Sequence, residues 1–412
     1  MNRRLATRLR SAWTAKEKPP KILLLTNDFP PRYSGGISNV HFNLCRNDTR
    51  GLVKTIAPAC DGAKRFDEEF NLETVRVWAP TRRGVFHRII QITIFLTAAI
   101  IESFRNDVIA IWCGHVYLVP AAYVLKKLKG IPYFMFMYGG EERVYLDEKA
   151  KAMVFQHLIG NTRFLLGCSR FVKKEINKNW GYEGPVYVLN PGVDTDRFFP
   201  GESHLSDPDD DGGEFSLLTV GTLVERKGHD KVIEALAQIR MEIPNVKYYV
   251  VGDGPELESL RHLAYEEYGL GSIVEFLGFV EDSELPRYFN NADVFIMPSR
   301  VTPDSRGTEG FGIVYQEANA CGKPVIGGNS GGLPDAIVDG VTGILVDPED
   351  AGDVARAVAW LYHNPDARMK MGAEGRARVL NEFQWDKITE EFIDTIWRNL
   401  SIETVRKDIN DA

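Results

Sequence analysis

Apolar residues along the first half of the chain fall into short, nearly continuous runs. They are Lys21–Asn27, Val53–Ala57, Val75–Trp78, Val108–Cys113, Tyr133–Met137, Phe164–Gly167 and Val186–Leu189. Longer helix-like segments separate most of them: Ile37–Cys45, Phe86–Phe104, Tyr117–Lys129, Asp147–Ile159 and Ser169–Lys178. Continuous apolar strands alternating with helices predict a parallel sheet covered on both faces. The alternation stops at Asn190–Pro200 and the acidic stretch Ser206–Glu214, which is too polar and too rich in Gly and Pro to be core. It then restarts. Strands are expected at Phe215–Val220, Val246–Val251, Ile273–Leu277, Val294–Met297, Val325–Gly327 and Ile344–Val346. Helices are expected at His229–Met241, Glu256–Tyr268, Ser283–Asn291, Ile313–Cys321 and Asp353–His363. Phe383–Leu400 reads as a final amphipathic helix led by Trp385.

The pattern predicts an α/β protein with two doubly wound, Rossmann-like domains facing across a cleft. A basic extension covers 1–20, the first domain 21–200, the second 201–380, and a terminal helix 381–412. Ligands of open parallel sheets sit beyond the carboxyl ends of the strands, so the cleft is the expected site.

Composition narrows the class. At 412 residues, 44% hydrophobic and 26% charged, the chain reads as a folded soluble protein. A formal net charge of -8 argues against nucleic acid as a partner. The five cysteines, Cys45, Cys60, Cys113, Cys168 and Cys321, lack any CxxC or metal-ligand spacing. They read as small buried apolar residues in a reducing compartment. Arg8 and Arg10 interrupt any apolar core of a secretory leader. Ile89–Ile101, with Gln91 and Thr93 inside it, is too short and too polar at its ends to span a bilayer. A cytoplasmic protein is expected.

Two basic apolar segments suit an anionic membrane surface. Arg3–Trp13 sets Leu5, Leu9, Ala12 and Trp13 on one face, and Arg82–Phe104 opens with Arg82, Arg83, His87 and Arg88. The plainer readings are a frayed terminus for the first and core burial for Ile89–Ile101, with its basic turn exposed. Peripheral contact with the inner membrane face stays open.

The richest chemistry lies in Thr308–Gly328, TEGFGIVYQEANACGKPVIGG. Glu309 stands on a glycine-flanked loop, a helix starts at Ile313, and Glu317 lies inside it. Gly310 and Gly312 let backbone N–H groups approach a ligand, and a helix start favours an anion. The two carboxylates accept hydrogen bonds from hydroxyls. Together these groups suit a polyol joined to a diphosphate, although singly Glu309 reads at least as well as a helix-start acid and Glu317 as a solvated surface residue. In Val220–Asp230, VGTLVERKGHD, a strand ends at Gly221 and the following loop presents Arg226 and Lys227 before a helix. Arg grips two phosphate oxygens and Lys adds a compact charge, so the pair reads as a diphosphate clamp. Gly35 and Gly36 in the first strand-to-helix loop permit close approach to a phosphate. His115 stands just past the end of a strand.

Glu309 and Glu317 match the E-x7-E signature of retaining GT-B enzymes, and the chain from Lys21 to about Trp397 resembles glycosyltransferase family 4, including its bacterial mannosyl- and glucosyltransferases. The resemblance implies a GT-B fold and transfer of a hexose from a nucleotide-diphosphate sugar, GDP-mannose or a UDP-sugar, to a lipid-linked or oligosaccharide acceptor. It implies that Glu317 holds the donor ribose, that Glu309 contacts the transferred sugar, and that Arg226 and Lys227 neutralise the leaving diphosphate. The same resemblance gives Phe311, Gly312 and Ile313 backbone contacts to the donor, and carries Gly35, Gly36 and Gly221 into the donor site. It places His115 against the sugar and makes the terminal helix cross back to the first domain.

In Met137–Arg143, MYGGEER, Tyr138 stands where many members have His, so no imidazole role carries over. Glu141 and Glu142 read either as acceptor contacts or as a solvated acidic loop. Gly278–Asp282, GFVED, resembles the loop that cups the nucleobase, with Val280 backbone groups at the base edge. Asp282 reads either as an acceptor for guanine N–H groups or, preferentially, as a helix N-cap. The implied chemistry is retention by front-face attack, the leaving phosphate taking the acceptor proton. No metal and no cofactor is expected, because no Asp-x-Asp stands at a strand end. The competing readings are a nucleotide-sugar epimerase or hydrolase of the same fold, which needs a further acid/base pair, and a non-catalytic nucleotide-sugar binding subunit. The joint presence of Arg226, Lys227, Glu309 and Glu317 disfavours the last.

Overall fold

The computed structural model describes residues 19–32, 35–80, 84–140, 149–201, 213–302 and 308–410, with backbone alone at 149–150 and 401–410. Arg3–Trp13, Ser34, Arg82, Arg83, Glu141, Glu142 and most of the acidic stretch lie outside them.

The first lobe has strands β1 (Lys21–Leu25), β2 (Val53–Pro58), β3 (Thr74–Val77), β4 (Val108–Cys113), β5 (Tyr133–Met137), β6 (Leu165–Gly167) and β7 (Val186–Val188). Its helices are α1 (Gly36–Arg46), α2 (Ala63–Glu69), α3 (Val85–Arg105), α4 (Val119–Lys129), α5 (Lys149–Gly160) and α6 (Arg170–Asn179). The second lobe has β8 (Phe215–Val220), β9 (Val246–Val251), β10 (Val274–Gly278), β11 (Val294–Met297), β12 (Val325–Gly328) and β13 (Gly343–Val346). Its helices are α7 (His229–Ile239), α8 (Leu257–His262), α9 (Leu285–Asn291), α10 (Ile313–Ala320), α11 (Leu333–Ala336), α12 (Ala351–His363) and α13 (Pro365–Glu382). The chain ends in α14 (Trp385–Asn410).

The strand orders are β3-β2-β1-β4-β5-β6-β7 and β10-β9-β8-β11-β12-β13, and every strand pair is parallel. Each order reverses once, between β1 and β4 and between β8 and β11. Crevices open at such reversals, outside the carboxyl ends of the strands. The apolar runs form these strands because both faces are covered: all residues of β1, β5, β8 and β11 are buried. Lys21 tolerates burial at the start of β1 because its Nζ donates to Gly51 O and Glu73 Oε1, each at 2.6 Å.

The lobes meet through the loops that follow β5 and β6. Arg170 Nε pairs with Asp335 Oδ1 of the second lobe at 2.5 Å, and the Arg170 backbone N–H donates to the same carboxylate. Gly310 packs so closely on the Tyr138 carbonyl that a β-carbon there would lie 1.8 Å from it. Helix α14 returns to the first lobe. Phe392 is fully buried against Trp112, with ring centroids 4.7 Å apart, and the Arg163 guanidinium donates to the Asn399 carbonyl. Where the chain crosses back, Val193 N–H donates to Phe383 O at 2.8 Å, beside a bridge between Val193 and Gln384.

Three helices escape the periodicity: α2, α11 and the long α13. Within α13, Gly372 and Gly375 weaken the helical signal, yet both are needed for close packing. A β-carbon at Gly372 would lie 2.0 Å from the Gly322 carbonyl, and one at Gly375 would lie 2.5 Å from Asn319. The core burial expected of Ile89–Ile101 holds for only one stripe. Gln91, Phe95, Ala98, Ala99 and Glu102 of α3 are buried, while Val85, Phe86, Ile89, Ile101 and Phe104 are exposed. Among the described residues α3 is the one helix long and apolar enough to cross a membrane, but it lies on the sheet, packed against β2, β3 and α4. Its buried Glu102 pairs with Lys54 at 2.8 Å.

Truncating Phe392 to Ala should leave a cavity between α14 and the sheet and cost about 3–5 kcal/mol. Urea denaturation followed by intrinsic fluorescence measures it; a midpoint equal to that of the unaltered protein would mean that α14 does not hold the lobe.

Candidate active site

At the second-lobe reversal, β8 gives way to a loop that turns at Gly228 into α7. Gly228 has φ +73°, and a β-carbon there would lie 2.3 Å from the Pro298 carbonyl, so the loop passes flush against the end of β11. That tight passage aims Arg226 and Lys227 at Glu309, which arrives from the loop before α10. Arg226 Nη1 lies 3.1 Å, and Lys227 Nζ 2.5 Å, from the same oxygen, Glu309 Oε2. Burial raises the Glu309 carboxyl, but the charges and hydrogen bonds of Lys227 and Arg226 outweigh it and hold the group below its usual range. The cluster therefore keeps one net positive charge facing the crevice.

Arg300, which the sequence reading missed, anchors this loop. It is buried just past β11, its backbone N–H donates to Arg226 O at 2.8 Å, and its guanidinium grips Asp230 at 2.8 and 2.9 Å. Glu349 and Glu225 complete its surroundings at 3.5 and 3.9 Å. The available signal was an arginine directly after an apolar strand at a reversal point, in MPSR.

Glu317 stands apart from this trio. It is half-buried on α10, near Arg197 of the inter-lobe connection and Asp282 of the loop after β10. Burial pushes its carboxyl up to about 7, Asp282 adds to that shift, and Arg197 opposes it. Asp282 is not the expected N-cap. It is the exposed first residue of a 3-10 turn, 282–284, neither that turn nor α9 has a side-chain cap, and its charge acts on Glu317. Val280 lies partly buried in the same loop. Phe311 is packed on Phe383, with centroids 5.6 Å apart. Gly312, at φ +89°, starts α10, so the N–H groups from Phe311 to Ile313 lead that helix. Gly221 directly follows β8, and a β-carbon there would lie in ordinary contact, 3.6 Å from Met297 Sδ and 3.8 Å from Lys227 Cε.

The first-lobe reversal supplies a second constellation. His115 Nε2 lies 3.1 Å from Asp28 Oδ2. Burial raises the Asp28 carboxyl, but the His115 hydrogen bond and the nearby cationic groups outweigh it, and the net shift is downward. Asp28, one residue beyond the apolar run of β1, is a second residue that the sequence reading passed over. His41 lies fully buried beneath the pair, its ring 6.0 Å from that of His115 and its Nδ1 3.0 Å from Thr26 Oγ1. Burial, with the His115 charge, depresses its pKa to about 3, so it stays neutral. Tyr138 packs edge-on to His41 at 5.9 Å, in the position where an imidazole was not available.

A cavity of ≈ 250 Å³ opens over this pair, with Ile37, Tyr117 and Arg88 in its walls. Among the described residues, a β-carbon on Gly35 or Gly36 would meet no atom within 4 Å, and no side chain caps α1. Among the described residues no three His, Cys, Asp or Glu side chains converge as a metal-holding group.

The Arg226–Lys227–Glu309 cluster and the Asp28–His115 pair thus lie at the reversal points of the two sheets. The comparisons agree with that geometry. Residues 34–197 match the model of Glycosyltransferase Family 4, and residues 204–378 match that of Glycosyl transferases group 1. A GDP-mannose-dependent alpha-(1-6)-phosphatidylinositol monomannoside mannosyltransferase of Mycobacterium tuberculosis is 31% identical over 389 residues, covering 91% of this chain and 97% of that protein. A GDP-mannose-dependent monoacylated alpha-(1-6)-phosphatidylinositol monomannoside mannosyltransferase of Corynebacterium glutamicum is 28% identical over 391 residues, 91% of this chain and 97% of its own. Among solved structures, sucrose-phosphate synthase from Thermosynechococcus elongatus superposes with a TM-score of 0.76 at 21% identity, over 93% of this chain and 100% of that one. Anabaena HepE in complex with UDP and glucose gives 0.72 at 18% identity, over 92% and 99%. Both share the two-sheet GT-B fold. With both halves matched and a relative covered almost end to end, this chain belongs to glycosyltransferase family 4 and is a glycosyltransferase.

Proposed function

We propose that the protein transfers a mannosyl group, with retention, from GDP-mannose to a mannosylated phosphoinositide-type lipid at a membrane surface. The observation that carries the reading is the Arg226–Lys227–Glu309 cluster. It sits at the second-lobe reversal point with one net positive charge, while the Asp28–His115 pair sits at the reversal point of the first lobe. An entering diphosphate would take over the two cations and release Glu309 toward the sugar hydroxyls. Arg226 and Lys227 would then stabilise the charge that grows on the leaving phosphate as the glycosidic bond breaks, the largest single contribution to such a step. The acceptor hydroxyl would approach on the same face, and a phosphate oxygen would take its proton. His115, held by Asp28, would contact the sugar. No metal is part of this reading, because the two cations supply the neutralisation.

Three features support the donor and the acceptor. The relatives named above use GDP-mannose and phosphatidylinositol mannosides. Asp282 presents a carboxylate beside Glu317, where guanine N–H groups would need an acceptor. The start of α3 exposes Val85, Phe86 and Ile89 next to Arg88, which also lines the cavity over His115. Such a turn buries apolar side chains among lipid headgroups while its cation meets an anionic lipid. Action at the inner face of the membrane is part of the proposal.

The donor assignment is tested by calorimetric titration with GDP-mannose and UDP-glucose. GDP-mannose should bind at least about tenfold tighter, ~1.4 kcal/mol, and tighter binding of UDP-glucose would sink it. The same titration reads Glu317. Ribose hydroxyls donate to an ionised carboxylate, so donor binding favours the deprotonated form of a group whose pKa is up at about 7. Affinity should therefore strengthen from about pH 6 to about pH 8 in the unaltered protein and vary little in Glu317→Gln.

Turnover reads the cluster: Arg226→Ala and Lys227→Ala should each lower kcat by roughly 10²–10³-fold, and near-normal kcat in both would remove the electrostatic mechanism. Flotation with vesicles containing phosphatidylglycerol tests the surface. The protein should rise with the vesicles, and Phe86→Asp with Ile89→Asp should leave it at the bottom. Equal flotation of both proteins would exclude the α3 turn as the docking element.

A further inference from the structure

Arg197 has no role in the reading above, yet its placement is hard to explain as packing alone. It lies in the connection between the lobes, outside the second-lobe sheet that carries the donor-binding residues. Its Nη2 donates to the carbonyl of Asp282, in the loop expected to cup the nucleobase. Its backbone is fixed, because Asp194 Oδ1 accepts from Asp196 N–H at 3.2 Å and from Arg197 N–H at 3.1 Å. The next residue, Phe198, is buried against Phe289, and its carbonyl accepts from Arg376 Nη1 at 3.0 Å. The guanidinium carbon rests 4.7 Å from the Phe198 ring centroid. Among the described residues no carboxylate lies within ion-pair distance of Arg197, although Glu317 is near enough to feel its charge. A half-buried guanidinium, held in place and left without an anion, is arranged for a ligand. Its five N–H donors leave capacity beyond the one bond to Asp282.

We propose that Arg197 is a specificity-determining residue for the donor nucleobase, acting with Asp282 as a donor–acceptor pair that reads guanine. This rests on the donor assignment proposed above. Guanine offers acceptors at O6 and N7 and donors on its exocyclic amine, and Arg is the side chain that most often meets the acceptor edge. A carboxylate answers the N–H side. Uracil offers only O4 on the acceptor side and only N3–H on the donor side, so it lacks the second partner that N7 gives Arg197 and the exocyclic amine gives Asp282. A site that leaves a polar group unpaired rejects the wrong ligand strongly. Because Arg197 belongs to the connection between the lobes, the base is read partly from outside the donor lobe.

The test compares dissociation constants for GDP and for UDP, measured by titration calorimetry, in the unaltered protein, Arg197→Ala and Arg197→Lys. Arg197→Ala should weaken GDP at least tenfold and UDP by less than threefold. Arg197→Lys should recover little of the loss, since an ammonium cannot reproduce the planar fork. Should Arg197→Ala fail to fold, judged by circular dichroism, Arg197→Gln takes its place with the same expectation. An equal loss for both nucleotides would place Arg197 at the shared ribose or diphosphate and overturn the proposal. So would a guanine preference that survives in the variants. A preference of the unaltered protein for UDP would instead overturn the donor assignment itself, and is visible without any variant.

Discussion

The loops at the second-lobe reversal are arranged around a problem of like charge. Arg226 and Lys227 are neighbours in sequence, one partly and one almost wholly buried, and two cations held that close repel unless an acid stands between them. Glu309 is that acid, and both cations converge on one of its oxygens. Arg300 is a third positive group in the same neighbourhood, kept separate by its own carboxylates, Asp230, Glu349 and Glu225. The loop after β8, the turn past β11 and the loop before α10 are therefore locked together electrostatically as well as by packing. An anion with more charge than one carboxylate is the ligand that improves this arrangement, which is why the geometry favours a diphosphate.

The first lobe solves a milder version of the same problem. His115 is held by the ionised Asp28, and His41 beneath it is kept neutral by burial and by the charge of its neighbour. A neutral imidazole in that position supports the pair without adding a cation beneath it. The crevice thus has a cationic cluster at the reversal of the second lobe and a carboxylate–imidazole pair at that of the first, where Arg88 also lines the cavity.

Much of this was legible in the chain. All thirteen strands stand within a residue or two of the apolar runs, because strands buried on both faces leave an unmistakable pattern. The cation pair and Glu309 were visible because glycines mark the loops that carry them. What was hidden is instructive. Gly372 and Gly375 disguise α13, since they serve helix–helix contact rather than helix propensity. The exposed stripe of α3 was hidden because an apolar helix looks the same whether it faces a core or a lipid surface. Asp28 and Arg300 each follow an apolar run directly, but that local signal gains its meaning from strand order, which sets β1 beside β4 and β8 beside β11. Asp282 could be placed only when both possible caps proved empty.

The chain passes between the lobes twice, and the two passages are bonded to each other at Val193, Phe383 and Gln384. Two parallel strings tied side by side behave differently from one. They resist twisting and sliding, and they leave bending about the line through the knot as the soft direction. Opening and closing of the cleft is thereby confined to something like the swing of a door. The Arg170–Asp335 contact adjoins that knot, because Arg378 donates to the Asp335 carbonyl at 2.8 Å while its guanidinium carbon lies 4.8 Å from the centroid of the Phe383 ring.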